Sequence, residues 1–192
     1  MENDSVLDII KKRWSPYSFS SKPVEEYKLK AILGAAGYAP SSINEQPWIF
    51  ILTTRDTPGK FDDFAGFLEE SNQIWARNAY ALIISLTRTK HVYKDRPNKY
   101  AFHDTGMAVS NMLIQAISMD VYIHQMGGYS TGKVKKYFNL GDGVEPVAVM
   151  AVGYLGDGKE LNEELRKRDS KRRPRKSISE YAFRNGLADP AF

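Results

Sequence analysis

The run Ala79-Tyr80-Ala81-Leu82-Ile83-Ile84-Ser85-Leu86-Thr87 carries neither charge nor proline. It is far shorter than the roughly 20 residues that cross a bilayer, and its β-branched and aliphatic content predicts a strand buried on both faces. Two similar runs flank it at a distance, Trp48-Ile49-Phe50-Ile51-Leu52-Thr53 before and residues 147–154 after, and both read as buried strands. The intervening sequence is helical in pattern. Residues 100–118 place Ala101, Met107, Ala108, Met112, Leu113, Ala116 and Ile117 along a long helix, with small residues suited to the centre of a core or an interface.

Further out, Val6, Leu7, Ile9 and Ile10 predict a first helix ending near residues 13–16. A second follows Pro23 with Leu29, Ile32, Leu33 and Ala36 on one side, and Gly37 and Pro40 close it. Phe61, Phe64, Phe67, Leu68 and Trp75 predict one packed helix over residues 60–76, and residues 133–138 a short one. Strands alternating with helices, without repeats or linkers, predict a single domain over residues 1–192 built of α/β or α+β layers.

The chain has 192 residues, of which 42% are hydrophobic and 26% charged, the balance of an ordinary folded protein. There is no cysteine, which excludes disulfides, thiolate metal sites and thiol nucleophiles. The acidic start and the lack of any long apolar run predict a water-soluble, cytoplasmic protein without a membrane span. Net charge is +4, yet residues 166–176 hold eight basic residues against Asp169, so the rest sums to roughly −3.

Most motifs have ordinary explanations. The glycines of Gly153, Gly156 and Gly158 fit neither phosphate-loop fingerprint and read as a strand-ending turn. Asp142 between glycines lacks the ligand run of a calcium loop. His91, His103 and His124 are scattered without metal-binding spacing, and no serine elbow occurs. Metal ligands and side-chain nucleophiles are therefore not expected.

Three segments remain that suit anions or planar rings. Arg13 and Ser15 leave a helix end for an open loop, where a guanidinium fork and a hydroxyl reach phosphate oxygens, and Lys171, Arg172 and Arg173 add donors. Residues 40–48 combine stiffening prolines with short polar side chains, and Gly127-Gly128 allows close backbone approach to a ring. Taken singly, each fits a surface charge, a connecting loop or a solvated face better than a site. Their co-occurrence in one chain changes that weighting.

In this combination the chain resembles the FMN-dependent nitroreductase family. The resemblance lies in Arg13-Trp14-Ser15-Pro16-Tyr17-Ser18-Phe19, in the complete Ala-Pro-Ser-x-x-Asn-x-Gln-Pro-Trp motif of residues 39–48, and in Asp104-Thr105-Gly106-Met107-Ala108. Gly127-Gly128, residues 147–154 and Arg172 extend it over nearly the whole chain. It implies a homodimer of α+β subunits, each a three-layer α/β/α arrangement around a mostly antiparallel sheet, with FMN at the subunit interface. The basic segment 166–176 and the tail to residue 192 would pack on the partner.

The resemblance also implies roles. Arg13, Ser15 and Arg172, with Lys171 beside them, hold the FMN phosphate, while Pro40, Ser41 and Ser42 line the flavin ring from the partner subunit. Asn44 and Gln46 support the ring and its loop, Gly127 and Gly128 lie near the ring edge, and Gln73 matches a polar ribityl or phosphate contact. Trp14 and Tyr17 stand where relatives carry cations, exchanging charge for an aromatic wall. The implied activity is ping-pong transfer from NADH or NADPH through flavin N5 to a nitroaromatic, quinone or similar small acceptor, with no side-chain acid or base required. Two alternatives stay open: the same fold serving dehydrogenation, dehalogenation or flavin cleavage, and a nucleic-acid-binding protein using residues 166–176, which the otherwise acidic chain disfavours.

Overall fold

The computed structural model describes residues 5–94 and 96–192. Four strands, β1 (Trp48–Thr54), β2 (Ala81–Arg88), β3 (Tyr122–Met126) and β4 (Val144–Gly153), form one sheet in the order β1-β2-β4-β3. Every pairing is antiparallel, with Ile51 opposite Ile84, Ile84 opposite Val149, and Tyr122 opposite Gly153. A bulge leaves Val147 of β4 unpaired opposite the step from Ser85 to Leu86 of β2. There the buried Ser85 hydroxyl bonds both the N–H and the carbonyl of Ala148, at 3.1 Å each.

The pleat of the central strands separates two cores. Leu82, Ile84, Leu86, Val149 and Ala151 face one side with Phe61, Phe64 and Trp75. Ile83, Met150 and Val152 face the other with Leu29, Ile32, Val109 and Met112. The second side is covered by α2 (Glu26–Ala36) and α5 (Ala101–Ser118). The first is covered by α3 (Pro58–Ala65), α4 (Glu70–Ala76), α6 (Thr131–Tyr137) and the single buried leucine, Leu165, of α7 (Glu163–Ser170). The short helix α1 (Asp8–Lys12) precedes them all. This is the expected three-layer α/β/α arrangement, and because its sheet is antiparallel the class is α+β.

The structure differs from the sequence reading in four places. Residues 60–76 form two helices, because the chain turns after Ala65 and buries Phe67 and Leu68 in the connection. β1 is an edge strand in which only Thr53 is fully buried. β3 and α7 are elements that apolar patterning does not announce. Beyond Leu165 no residue joins either core, and Tyr181, Leu187 and Phe192 stand exposed on the C-terminal tail. No helix among the described residues is long and apolar enough to cross a membrane.

Candidate functional site

α1 ends at Lys12, Arg13 after it is extended, and Pro16 holds Ser15 out of the helical region, so residues 13–17 run out as an open strap. The strap is fastened to β3 and to α7. Trp14 meets Tyr122 edge-on at 6.4 Å, and the Pro16 carbonyl accepts a hydrogen bond from His124 Nδ1 at 2.8 Å. The Tyr17 N–H donates to Asp169 at 2.7 Å, which brings the last turn of α7 alongside. Asn162 caps the other end of α7 by accepting from the Leu165 N–H at 2.9 Å.

Next to the strap, Ser20 N–H bonds the Tyr154 carbonyl and Phe19 bridges to Leu155. The turn after β4 presses so close that a Cβ on Gly156 would collide with the Ser18 hydroxyl and lie 2.9 Å from the Phe19 backbone. The glycine-rich stretch is thus the turn expected from sequence.

Strap and basic segment together border an open cleft of about 720 Å³. Arg13, Trp14, Ser15 and Tyr17 line one side and Arg168, Lys171, Arg172, Arg173 and Arg175 the other, with Lys11 at the rim. The Arg13 guanidinium lies 3.4 Å from the Ser15 hydroxyl, and the Arg172 guanidinium sits 4.1 Å over the Trp14 ring. Burial, followed by the fields of Arg175 and Arg172, lowers the Arg13 pKa from its ordinary value. The guanidinium remains charged, with two further cations near enough to act on it.

Behind Tyr17 of the lining, Trp75 and His124 complete an aromatic cluster, the His124 ring centroid 4.4 Å from that of Trp75 and 4.9 Å from that of Tyr17. Burial is the main cause that pushes the His124 pKa below its ordinary value, so the ring is neutral and its Nδ1 carries the proton given to Pro16.

The segment 40–46 lies elsewhere. Ile43, Asn44 and Gln46 all adopt positive φ, of 51°, 58° and 48°, a conformation that non-glycine residues rarely hold without support. The support is specific. The buried Asp104 carboxylate, in the first turn of α5, accepts the Ser42 N–H at 2.9 Å, and Ser41 Oγ accepts the Gln46 N–H at 3.0 Å. Asn44 Oδ1 accepts from the Gln46 amide at 3.2 Å. Glu45, its side chain almost without solvent exposure, accepts the Val92 N–H and lies 3.3 Å from His91 Nδ1.

The two candidate regions belong to opposite edges of the sheet. Residues 40–46 feed β1, whereas the strap abuts β3, three strand spacings or about 14 Å away. Of the residues nominated from sequence, Arg13, Trp14, Ser15, Tyr17, Lys171 and Arg172 therefore converge on the cleft, and Pro40, Ser41, Ser42, Asn44 and Gln46 do not. Gln73 is engaged within its own neighbourhood, its amide donating to the Leu68 carbonyl at 2.8 Å and its oxygen accepting from Arg77. Gly128 is required by packing: a Cβ there would lie 2.7 Å from the Asn72 amide nitrogen, while its carbonyl accepts from the Glu69 N–H and from Asn72. Gly127 has open space around it.

Comparison with known proteins accords with this geometry. The model of the nitroreductase family matches residues 10–71 and 56–154. The chain belongs to the nitroreductase family. This nitroreductase-family chain is 34% identical over 130 residues to an uncharacterised 15.4 kDa protein of Mycolicibacterium smegmatis, a match covering 68% of the chain and 86% of that protein. It superposes on the crystal structure of an oxidoreductase containing FMN with a TM-score of 0.90 at 30% identity, covering 98% of this chain and 96% of the other. A proposed NADH oxidase from Clostridium acetobutylicum aligns with a TM-score of 0.67 at 26% identity, covering 81% and 93%.

Sequence reasoning missed Asp104 as the clamp on the 40–46 segment, Glu45 as its tie to residues 91–92, and His124 and Asp169 as fasteners of the strap. Each acts on a backbone group 47 or more residues away, which no local spacing reveals.

Proposed function

We propose that this protein is an FMN-dependent oxidoreductase that works as a homodimer, taking electrons from NADH or NADPH and delivering them to a small nitroaromatic, quinone or similar acceptor. One observation carries the reading: the two ends of the chain meet in a cleft where guanidinium groups and a hydroxyl are gathered around space sized for an anionic ligand. The fit to FMN is chemical. A phosphate monoester needs paired cations and a hydroxyl donor, which Arg13, Ser15, Lys171 and Arg172 provide, and Trp14 and Tyr17 offer the apolar wall a nucleotide can lie against.

When bound, FMN supplies the two-electron chemistry, and the protein supplies binding and orientation. Arg13, Ser15, Lys171 and Arg172 neutralise the phosphate. Asp104 and Glu45 hold the 40–46 segment in its strained form, so that Pro40, Ser41 and Ser42 present a rigid wall to the ring and Asn44 and Gln46 brace it. Gly127 and Gly128 offer backbone amides to the ring edge. Because strap and wall lie at opposite sheet edges, one copy supplies the phosphate end and a second copy the wall. An open groove of about 590 Å³ along α2 and α5, lined by Ala31, Gly34, Ala35 and Ile114, gives the second copy an apolar face to approach. The tail beyond residue 170, outside both cores, gives it an arm to receive. The neighbour that contains FMN, alike over nearly the full chain, supports the same reading.

The test is the visible spectrum of purified protein. Flavin bands bleached by NADH or NADPH without oxygen, and restored by a nitroaromatic or quinone, are expected. A colourless protein that takes up no added FMN overturns the proposal.

A further inference from the structure

We propose that the cleft holds a second phosphate beside that of FMN, the 2′-phosphate of the pyridine nucleotide, so that NADPH is the preferred reductant. The inference rests on the flavin reading above and deepens it.

The observation is an uneven distribution of counter-charge along the basic run. On α7, Lys167 pairs with Glu163 at 2.8 Å and Arg168 with Glu164 at 3.0 Å, each one helical turn apart. Asp169, the remaining acid, is committed to the Tyr17 N–H. Past the helix end the pattern stops. Among the described residues, no carboxylate lies within ion-pair distance of Lys171, Arg172, Arg173 or Arg175, yet all four line the cleft opposite Arg13. Seven cations thus line one space without an acid among its lining residues, and five of them, Arg13, Lys171, Arg172, Arg173 and Arg175, have no ion-pair partner among the described residues.

A phosphate monoester brings a charge of about −1.5 to −2. FMN therefore leaves a surplus of roughly three. Within the site, burial first and then the fields of Arg175 and Arg172 act against the proton on Arg13. Holding like charges together unneutralised is unfavourable, and a second dianion relieves it. Arginine forks match a phosphate monoester with paired hydrogen bonds, and Arg173 and Arg175 are the unpaired guanidinium groups of the cleft that the FMN reading above leaves unassigned. The pyrophosphate is common to NADH and NADPH, whereas the 2′-phosphate supplies a dianion that only one of them has. The cations ring a cleft instead of extending along a face, which suits a small ligand better than a nucleic-acid backbone.

The test is calorimetric titration of the flavin-loaded protein with 2′,5′-ADP and with 5′-AMP, and then with NADP+ and NAD+. The 2′-phosphorylated member of each pair is expected to bind about tenfold tighter or more, and in the Arg173→Ala/Arg175→Ala double variant the ratio falls to near one. Equal affinities in the unaltered protein, or a ratio that survives the double substitution, overturn the inference. Preference for 2′,5′-ADP with equal binding of NADP+ and NAD+ overturns the pyridine nucleotide as the source of the phosphate. Flavin uptake is measured on the same sample. If no FMN is taken up, the functional reading fails and this inference with it; a yellow protein that binds both nucleotides equally sinks this inference alone.

Discussion

The guanidinium of Arg172 lies 4.1 Å over the ring of Trp14, joining the end of the first helix to the basic segment some 160 residues later. A cation above an indole at a partly exposed site is worth about 0.5–1 kcal/mol. Trp14→Ala is therefore expected to weaken FMN binding about two- to fivefold by releasing Arg172 from its position. Fluorescence titration of apoprotein with FMN measures it, and an unchanged dissociation constant would mean that the stack does not orient Arg172 for the ligand.

Arg13 is set deeper in the cleft and has the Ser15 hydroxyl beside it. Charge-assisted hydrogen bonds of this kind contribute about 1.5–3 kcal/mol, so Arg13→Ala should raise the FMN dissociation constant roughly ten- to a hundredfold. Arg13→Lys keeps the charge and loses the fork, and is expected to fall between. Equal retention of FMN by all three proteins would remove Arg13 from the phosphate site.

His124 gives the protein a shallow acid-sensitive term. Its pKa in the folded chain lies below the ordinary 6.5, mainly through burial, so in the window from about 6.5 down to the lowered value the unfolded chain binds a proton that the folded chain refuses. Stability contributed in this way is intact above pH 6.5 and declines as pH falls through the window. His124→Phe keeps a ring against Trp75 and Tyr17 and should flatten this decline in thermal midpoint while losing the bond to Pro16. An identical pH profile in the variant would assign the acid sensitivity to other groups.

Glu45 couples two loops through backbone. Glu45→Ala is expected to accelerate amide hydrogen exchange at Val92 and at the positive-φ residues 43, 44 and 46, with the exchange of the central strand β2 unaltered. Unchanged exchange at Val92 would show that the 91–92 turn holds its place without the carboxylate.

Removing residues 171–192 takes away no member of either core. The shortened chain should melt cooperatively near the midpoint of the intact protein and fail to retain FMN. Loss of folding would instead give the tail a structural part that its exposure does not suggest.

What the sequence reveals and conceals follows from how burial is arranged. β2, β4 and α5 were legible because each buries a continuous run or a full helical stripe, and a residue at almost every second or fourth position is apolar. β3 was not, since it is five residues long and sets a histidine and a glutamine among its apolar residues. α7 was not, because Leu165 alone is buried and its stability comes from the Asn162 cap and two ion pairs. In the site, Arg13, Ser15, Lys171 and Arg172 were readable from residue type and resemblance, and the structure adds that they share one cleft. Asp104 and Glu45 were opaque for a different reason: their acceptors serve N–H groups, and every residue but proline has one.

The separation of strap and wall by the full width of a four-stranded sheet has a genetic corollary for the proposed pairing. A copy damaged at Arg13 and a copy damaged at Ser41 each spoil both crevices of their own homodimer. Mixed and reassorted at random, half of the dimers are hybrids with one crevice carrying two faults and one carrying none, so about a quarter of the activity returns from two inactive parents.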